Sequence, residues 1–341
     1  MCQANREAAW QWLFHQRRHA PADADIWHLR FHWPQMRDTF WQQVLRGEYR
    51  LSPLQVHRSR QGPCEAVALW CAADALVLRW VSLMVQNSLP VQENCTHVAG
   101  HRAGRDALRQ ISLHLQAGMT HVWRTDIRGY YRHISKVQLY HHVCRYVDSP
   151  VLRGLIKQYI GYSVEQGGEF HTPAAGISRG CSLSPLLGAS FLWYIDQSFS
   201  GREDLFYVRY MDDFLVLSDR RWRVRHARRH LLAYFDDCGF ECHPDKTHVG
   251  RTAKGFDWLG VWFTDTGPAG TAPRAQENYK QRREVLVQRC RRLRYTPDMT
   301  ARRVQEYDIR WQRWAEGQLR AAQITPASPR AENDNRMRTE R

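Results

Sequence analysis

Two aspartates stand side by side in Tyr210-Met211-Asp212-Asp213, between the short apolar runs 206–210 and 214–218. The spacing predicts two strands around a tight turn. Asp-rich turns are ordinary in hairpins. Here the flanking residues are mostly Phe, Val, Tyr and Leu. The turn therefore rises from buried strands, where paired carboxylates cost folding energy unless something neutralises them. A divalent cation would do so. A third carboxylate, Asp126, closes another candidate strand, 121–127, in Trp123-Arg124-Thr125-Asp126-Ile127. Three carboxylates at strand ends, on a basic protein, meet the demands of two-metal phosphoryl transfer. One metal activates an attacking hydroxyl, and both stabilise the in-line transition state.

The rest of the composition agrees. Of 341 residues, 49 are Lys or Arg and 34 are Asp or Glu, a net charge of +15, and 14 Trp and 14 Tyr accompany the excess. Basic charge with flat aromatic rings points to a polyanionic partner, nucleic acid first. The most apolar region, 66–85, is interrupted by Asp74 and Arg79, so no membrane span is expected. The first nineteen residues carry no basic region followed by an apolar core, so no secretory signal is expected. Nine scattered cysteines suit a reducing, cytoplasmic setting. Cys238, Cys242 and His243 lack a second ligand pair, which argues against zinc.

The elements that must position the carboxylates follow from periodicity and breakers. No internal repeat or low-complexity block is present. The first fifty residues place Trp10, Leu13 and Phe14 at helical spacing. Breakers at Ser52-Pro53 and Gln61-Gly62-Pro63 bound a strand or hairpin arm, 54–60. Near-continuous apolar content predicts one long buried helix over 66–87, and further helices are expected over 137–146 and 184–198, the last with Pro185 in its first turn. A basic helix, 220–238, ends at Gly239. Strands are expected over 240–249 and 256–264, then basic helices from 276, then a disordered tail after 324. Mixed strands and helices in the middle, with helical ends, make an α+β architecture.

These residues carry a resemblance. Tyr210-Met211-Asp212-Asp213 resembles the Tyr-x-Asp-Asp signature of reverse transcriptases. Thr125-Asp126-Ile127-Arg128-Gly129-Tyr130-Tyr131 resembles their first catalytic motif as written in bacterial group II intron and retron-type enzymes. Gly176-Ile177-Ser178-Arg179-Gly180-Cys181-Ser182-Leu183-Ser184-Pro185-Leu186-Leu187 looks like their template- and nucleotide-handling loop. Residues 231–247, with Pro244-Asp245-Lys246-Thr247, are similar to the segment bearing a lysine near the leaving group. Phe256-Asp257-Trp258-Leu259-Gly260 resembles the primer grip, and 100–108 resembles the fingers segment before the first motif. Singly these matches are weak. Six in the family's order, covering about 51–264, are highly specific.

The resemblance implies a prokaryotic, stand-alone RNA-directed DNA polymerase: a right hand of fingers, palm with antiparallel sheet, and short helical thumb. It implies two Mg²⁺, with Mn²⁺ as substitute, held by Asp126, Asp212, Asp213 and the Ile127 carbonyl. Tyr131 takes the place of the aromatic gate against a 2′-hydroxyl. Gly129 and Tyr130 would offer backbone N–H groups to the triphosphate, Lys246 would protonate the departing pyrophosphate, and Trp258, Leu259 and Gly260 would grip the primer. By itself Lys246 reads as an ordinary surface lysine. The sequence departs from the family's pattern twice. Arg179, before Gly180, replaces the usual Gln and could hold phosphate with its planar fork. In the fingers Arg58 or Arg60 offers the triphosphate clamp, with Glu65 near where a second cation is usual.

Arg220, Arg221, Arg223, Arg225, Arg228 and Arg229 share one expected helix. Between 274 and 303 ten Lys or Arg face three acids, a local +7. The resemblance makes the latter stretch a thumb on a primer–template duplex; a solvated helix face is the plainer explanation. Trp311 and Trp314, three apart, read as packing residues. The expected domains are a helical N-terminal extension (1–50), fingers and palm (51–270), thumb (271–324) and tail (325–341). The expected partners are an RNA template, a DNA or RNA primer and dNTPs. Dedicated structured RNA is implied for retron-like and defence-associated relatives. No endonuclease or metal-finger module is visible, and the setting is either a mobile element or antiphage defence. Two other readings stay open: a template-independent or protein-primed synthesiser, and a catalytically silent RNA-binding scaffold.

Overall fold

The computed structural model describes residues 3–58, 66–98 and 103–324. Two compact units emerge: Met1–Ala103 with Trp123–Val249, and Gly104–Val122 with Gly250–Arg341.

The first unit opens with helices α1 (Gln3–Arg17) and α2 (Asp25–Arg46), then a β1 (Leu54–Arg58) and β2 (Ala66–Leu69) hairpin, then helix α3 (Ala72–Val85). The near-continuous apolar run 66–85 is therefore a strand plus a helix rather than one helix. Short apolar runs do not distinguish the two by periodicity. Trp70 and Cys71 make the break. Trp70 is buried with its indole N–H on Ser178 Oγ at 3.0 Å, and Cys71 caps α3 at the Asp74 N–H. Asp74 is fully buried in α3 because Tyr49 donates its hydroxyl (2.8 Å) and Ser52 its N–H (2.9 Å) to the carboxylate.

Helix α4 (Ala103–Gln116) precedes strand β3 (His121–Asp126), the short helix α5 (Tyr130–His133), α6 (Lys136–Tyr146) and α7 (Pro150–Ile160). Ser135 and Ser149 cap α6 and α7, and Pro150 sits in the first turn of α7. Strands β4 (Val164–Gln166) and β5 (Glu169–His171) extend the β1–β2 hairpin into a four-stranded sheet ordered β2-β1-β4-β5. The expected helix over 184–198 is two, α8 (Ser184–Phe191) and α9 (Trp193–Phe199), broken at Leu192. The break has a consequence: the Ala189 carbonyl of α8 and the Asp196 carboxylate of α9 both bond one guanidinium, that of Arg209.

The central sheet runs β6-β7-β3-β8, from β6 (Phe206–Tyr210), β7 (Asp213–Ser218) and β8 (His248–Arg251). β6 and β7 are antiparallel with Tyr210 opposite Asp213, so Met211 and Asp212 form a two-residue turn. β3 lies beside β7, which brings its C-terminal Asp126 to the turn. α10 (Arg221–Cys238) ends at Gly239 in the left-handed conformation (φ 70°), the helix stop its sequence predicts. The expected strand 240–249 is mostly a loop with a 3-10 turn at Pro244–Lys246; only its end joins β8. Pro244 interrupts the ladder. One apolar core runs through this unit, from Leu13 and Trp41 on the N-terminal helices through Trp80, Trp123 and Tyr159 to Phe214 and Phe235.

In the second unit the expected strand 256–264 is a hairpin, β9 (Phe256–Trp258) and β10 (Val261–Thr264), with β11 (Gly267–Thr271) as third strand in the order β11-β10-β9. Leu259 (φ 47°) and Gly260 (φ 85°) are both left-handed and turn the chain back. A Cβ on Gly260 would lie 2.5 Å from Trp314, so glycine is needed twice over. Helices α11 (Pro273–Arg292) and α12 (Pro297–Ala322) follow, with Trp311 stacked on Tyr279 at 4.3 Å. Trp311 packs as its spacing suggests, whereas Trp314 lies against Gly260 yet stays 42% exposed. The Ser112 hydroxyl of α4 donates to the Ala322 carbonyl at the end of α12, at 2.5 Å. The residues expected to form a tail, 325–341, lie outside those described.

Among the described residues, no helix is long and apolar enough to cross a membrane.

Candidate active site

The carboxylate cluster is assembled by backbone bonds. Ile127 donates its N–H to the Asp212 carbonyl (3.1 Å), which joins the end of β3 to the β6–β7 turn. On its other side this segment pairs with 241–243: Arg128 N–H donates to the Glu241 carbonyl (2.8 Å), and His243 N–H to the Asp126 carbonyl (2.7 Å). Ile127 faces Cys242 in that bridge, and neither bond uses the Ile127 carbonyl. Thr125 and Thr247 share a hydroxyl hydrogen bond at 2.8 Å. The 3-10 turn after His243 carries Lys246, whose Nζ lies 2.5 Å from Asp126 Oδ2.

Asp126 is buried, and Asp212 and Asp213 are half-buried. Burial raises the Asp212 carboxyl to about 6, with the charges of Asp126 and Asp213 adding to the effect and Lys246 opposing it. Burial also raises Asp213, while Arg124, at 3.3 Å, pulls it down. The three carboxylates are thus close enough to repel one another, and two cations, Lys246 and Arg124, compensate them. Among the described residues no three His, Cys, Asp or Glu side chains form a ready group able to hold an ion. The donor chemistry nonetheless suits a hard divalent cation: carboxylate oxygens whose mutual repulsion such an ion would relieve.

The turn itself is strained. Met211 has φ 56°, at the hairpin position where glycine is usual, a conformation that costs a β-carbon-bearing residue about 1–3 kcal/mol. Two side chains hold it, one half-buried and one fully buried. Met211 N–H donates to His97 Nδ1 (3.0 Å), and Arg209 Nη1 donates to the Met211 carbonyl (2.7 Å). The Arg209 guanidinium is fully buried and also bonds both Asp196 oxygens. Although burial opposes it, Asp196 keeps Arg209 charged. Sequence reasoning did not single out His97, Asp196, Arg209 or Arg124. The available signal was a charge inside an apolar strand, Phe206-Tyr207-Val208-Arg209-Tyr210, and another inside the apolar helix around Asp196.

The remaining predicted residues fall in three groups. Gly129 (φ 60°) opens α5 beside Asp126's strand; Tyr130 is buried with its hydroxyl on the Gly188 carbonyl at 2.7 Å. Tyr131 lies along α8, where a Cβ on Gly188 would come within 2.7 Å of its ring. The loop before α8 is pinned to the same turn: Ile177 N–H donates to the Tyr131 carbonyl (2.9 Å), and Gly176 to the Ile134 carbonyl (2.8 Å). Gly176 must be glycine there, since a Cβ would lie 2.7 Å from the Tyr131 and Arg132 carbonyl oxygens. Arg179 and Gly180 are exposed, and the Arg179 charge reaches Tyr131. Trp258, Leu259 and Gly260 belong to the second unit, with Trp258 fully buried and Gln318 donating to the Leu259 carbonyl at 3.1 Å. Arg58 closes β1; its side chain, Arg60, Glu65 and residues 99–102 lie outside the described set.

The α+β sheet with its carboxylate hairpin, flanked by helices, is the fold of a right-hand polymerase. A profile of the reverse transcriptase (RNA-dependent DNA polymerase) family matches residues 76–263, more than half of the chain, and the chain belongs to that family. Comparison with curated protein sequences gives no match. Among solved structures it is similar to apo telomerase from Candida tropicalis (TM-score 0.50, 10% identity, over 69% of this chain and 52% of that one). It is similar also to telomerase from Candida albicans in complex with the TWJ fragment of telomeric RNA (TM-score 0.51, 12% identity, over 75% and 55%). At such identities the likeness is one of fold. The chain spans about half the length of the telomerase chains it matches.

Proposed function

We propose that the protein is an RNA-directed DNA polymerase that extends a primer 3′-hydroxyl with deoxynucleotides by two-metal phosphoryl transfer. The observation that carries this reading is the Ile127 N–H bond to the Asp212 carbonyl, which joins the two carboxylate-bearing segments into one buried cluster. In this reading Asp126, Asp212, Asp213 and the Ile127 carbonyl hold the ions, Mg²⁺ by preference. Bound there, the metals would lower the pKa of the attacking hydroxyl and stabilise the charge of the transition state. Lys246 would leave Asp126 when a cation arrives and donate its proton to the departing pyrophosphate. Gly129 and Tyr130 would present backbone N–H groups to the triphosphate, with Arg179, Gly180 and Arg58 as further phosphate contacts. Tyr131, backed by Gly188, would close on the sugar and reject a 2′-hydroxyl.

We assign residues 51–270 to fingers and palm, 271–324 to a thumb on the primer–template duplex, and Trp258, Leu259 and Gly260 to the primer grip. The motif wording supports a prokaryotic group II intron or retron-like lineage, with the cytoplasm as its place of work. Either a mobile element or an antiphage defence system that supplies a structured RNA would be its setting. The test is dNTP incorporation on a primed RNA homopolymer with Mg²⁺, run beside an Asp212→Ala, Asp213→Ala double variant. Template-dependent product lost in the variant supports the polymerase. Product without template moves the assignment to a terminal or protein-primed synthesiser. No product even with the co-purifying RNA restored leaves the silent scaffold.

A further inference from the structure

We propose that His97 and Arg209 are positioning residues that hold the Asp212–Asp213 turn in its working conformation by gripping the Met211 backbone on both sides of its α-carbon, at its N–H and at its carbonyl. The proposal rests on the reading of Asp212 and Asp213 as polymerase carboxylates.

Met211 is left-handed at φ 56°, so the turn does not keep its shape by intrinsic preference. An external grip must do so, and the structure contains one on each side. His97 Nδ1 accepts the Met211 N–H at 3.0 Å. That fixes the tautomer: the proton sits on Nε2, which donates to the Pro185 carbonyl at 3.2 Å, in the first turn of α8. Arg209 Nη1 donates to the Met211 carbonyl at 2.7 Å, and its Nη2 reaches the Ala189 carbonyl of α8 at 3.0 Å. Asp196 on α9 holds the other face of the guanidinium, helped by Tyr207, whose hydroxyl donates to Asp196 at 2.7 Å.

The two grips share one support. Residues 94–96 run along the edge of β6: Arg209 N–H donates to the Asn94 carbonyl (2.8 Å), and Thr96 donates to the Arg209 carbonyl through its N–H (2.9 Å) and its hydroxyl (3.1 Å). Cys95 and Arg209 form a parallel bridge there. The next residue is His97. A single strap thus pairs with the strand that carries Arg209 and delivers the imidazole to the same turn. A wholly buried Arg–Asp pair is weak evidence for stability as such, because desolvation offsets its attraction. Here every guanidinium bond ends on the turn, on α8 or on Asp196. Placing two carboxylates to within a fraction of an ångström is a reason to keep so costly a group, since a misplacement of about 1 Å can lower a rate by about 10²-fold.

The test compares His97→Gln, which can still accept from Met211 and donate to Pro185, with His97→Leu, which keeps bulk and loses both bonds. Three quantities are read: deuterium exchange of the Met211 amide, Mn²⁺ binding followed by the signal of the free ion, and single-nucleotide incorporation split into kcat and KM. We expect His97→Leu to speed exchange at Met211 about tenfold or more, to weaken Mn²⁺ binding, and to lower kcat about 10²-fold while KM for dNTP stays within about threefold. His97→Gln should recover most of each loss. Adding Met211→Gly, which removes the strain, should shrink the His97→Leu defect. This pair also decides the matter if His97→Leu alone folds poorly, since glycine relieves a strained turn and not a general packing defect. Unchanged exchange and unchanged kcat in a folded His97→Leu overturn the proposal, as does a His97→Gln variant no better than His97→Leu. A wild type that incorporates no nucleotide even with its co-purifying RNA restored, while exchange and Mn²⁺ binding respond as expected, sinks the polymerase reading and leaves the grip standing.

Discussion

The carboxylate turn of the first unit and helix α11 of the second handle charge in opposite ways. In the first, charges around the turn are matched and wholly or partly buried: Arg209 to Asp196, Lys246 to Asp126, Arg124 to Asp213. In the second, helix α11 carries Arg282, Arg291 and Arg292 exposed on its surface, and its buried residue is Cys290. Buried, paired charges fix geometry, since displacing either partner leaves an uncompensated ion in low dielectric. Exposed charges of one sign fix nothing locally and act at a distance on a polyanion. The first arrangement suits a site that tolerates little displacement, the second a surface that meets a charged partner loosely.

The sharpest way to break this contrast is to remove the chemistry alone. Asp212→Ala with Asp213→Ala should lower template-dependent incorporation by about 10³-fold or more, a loss of several kcal/mol at the transition state, while duplex binding measured by anisotropy stays within about threefold. A comparable loss of binding would mean the turn also organises the nucleic-acid surface. Next in size, Arg209→Met should destabilise the protein by about 3–5 kcal/mol in denaturant melts, because Asp196 is left buried and unpaired. Arg209→Met with Asp196→Leu should recover part of that stability without recovering activity. Equal activity in the double variant would reduce the pair to packing.

Asp212→Asn tests the cost of the unmetallated cluster. The Asp212 carboxyl sits at about 6 in the folded chain, above its ordinary value of 3.8. Its ionised form is therefore the destabilising one, and that penalty is fully present above pH 6 and vanishes as pH falls below about 4. In metal-free buffer at pH 8 the Asn variant should be more stable by on the order of 2 kcal/mol, with no gain at pH 3.5. Mg²⁺ should erase the difference. A pH-independent gain would point to packing instead. In the second unit, replacing Arg282, Arg291 and Arg292 with Gln should leave the melting temperature within a degree or two. It should flatten the salt dependence of RNA or duplex binding by about 2–3 in log–log slope, near one per phosphate contact. An unchanged slope would make α11 a solvated face after all. Smallest, Arg37→Ala on the exposed Arg37–Asp38 pair should change stability by less than about 0.5 kcal/mol.

Much of this is legible in the amino-acid sequence. The Asp212–Asp213 hairpin, the strand ending near Asp126, the basic helix stopping at Gly239 and the packing role of Trp311 are local consequences of patterning and punctuation, which short-range sterics enforce. Where the sequence pattern misled, a tertiary partner overruled it. The run 66–85 holds a strand because β1 pairs with it, and 256–264 folds back because Trp314 lies against Gly260.

The residues that make the turn rigid were silent in the same reading. His97 lies 114 positions from Met211, and Asp196 sits in an apolar helix with nothing nearby to explain it. A hydrogen bond between distant residues leaves no periodicity, so only the folded chain reveals which buried charge answers which. Patterning along the chain determined that three carboxylates sit at strand ends. Long-range packing decided that two of them stand at a strained turn, held at both backbone polar groups of Met211, because only a closed core can bring Asn94, Pro185, Ala189 and Asp196 around Arg209 and His97.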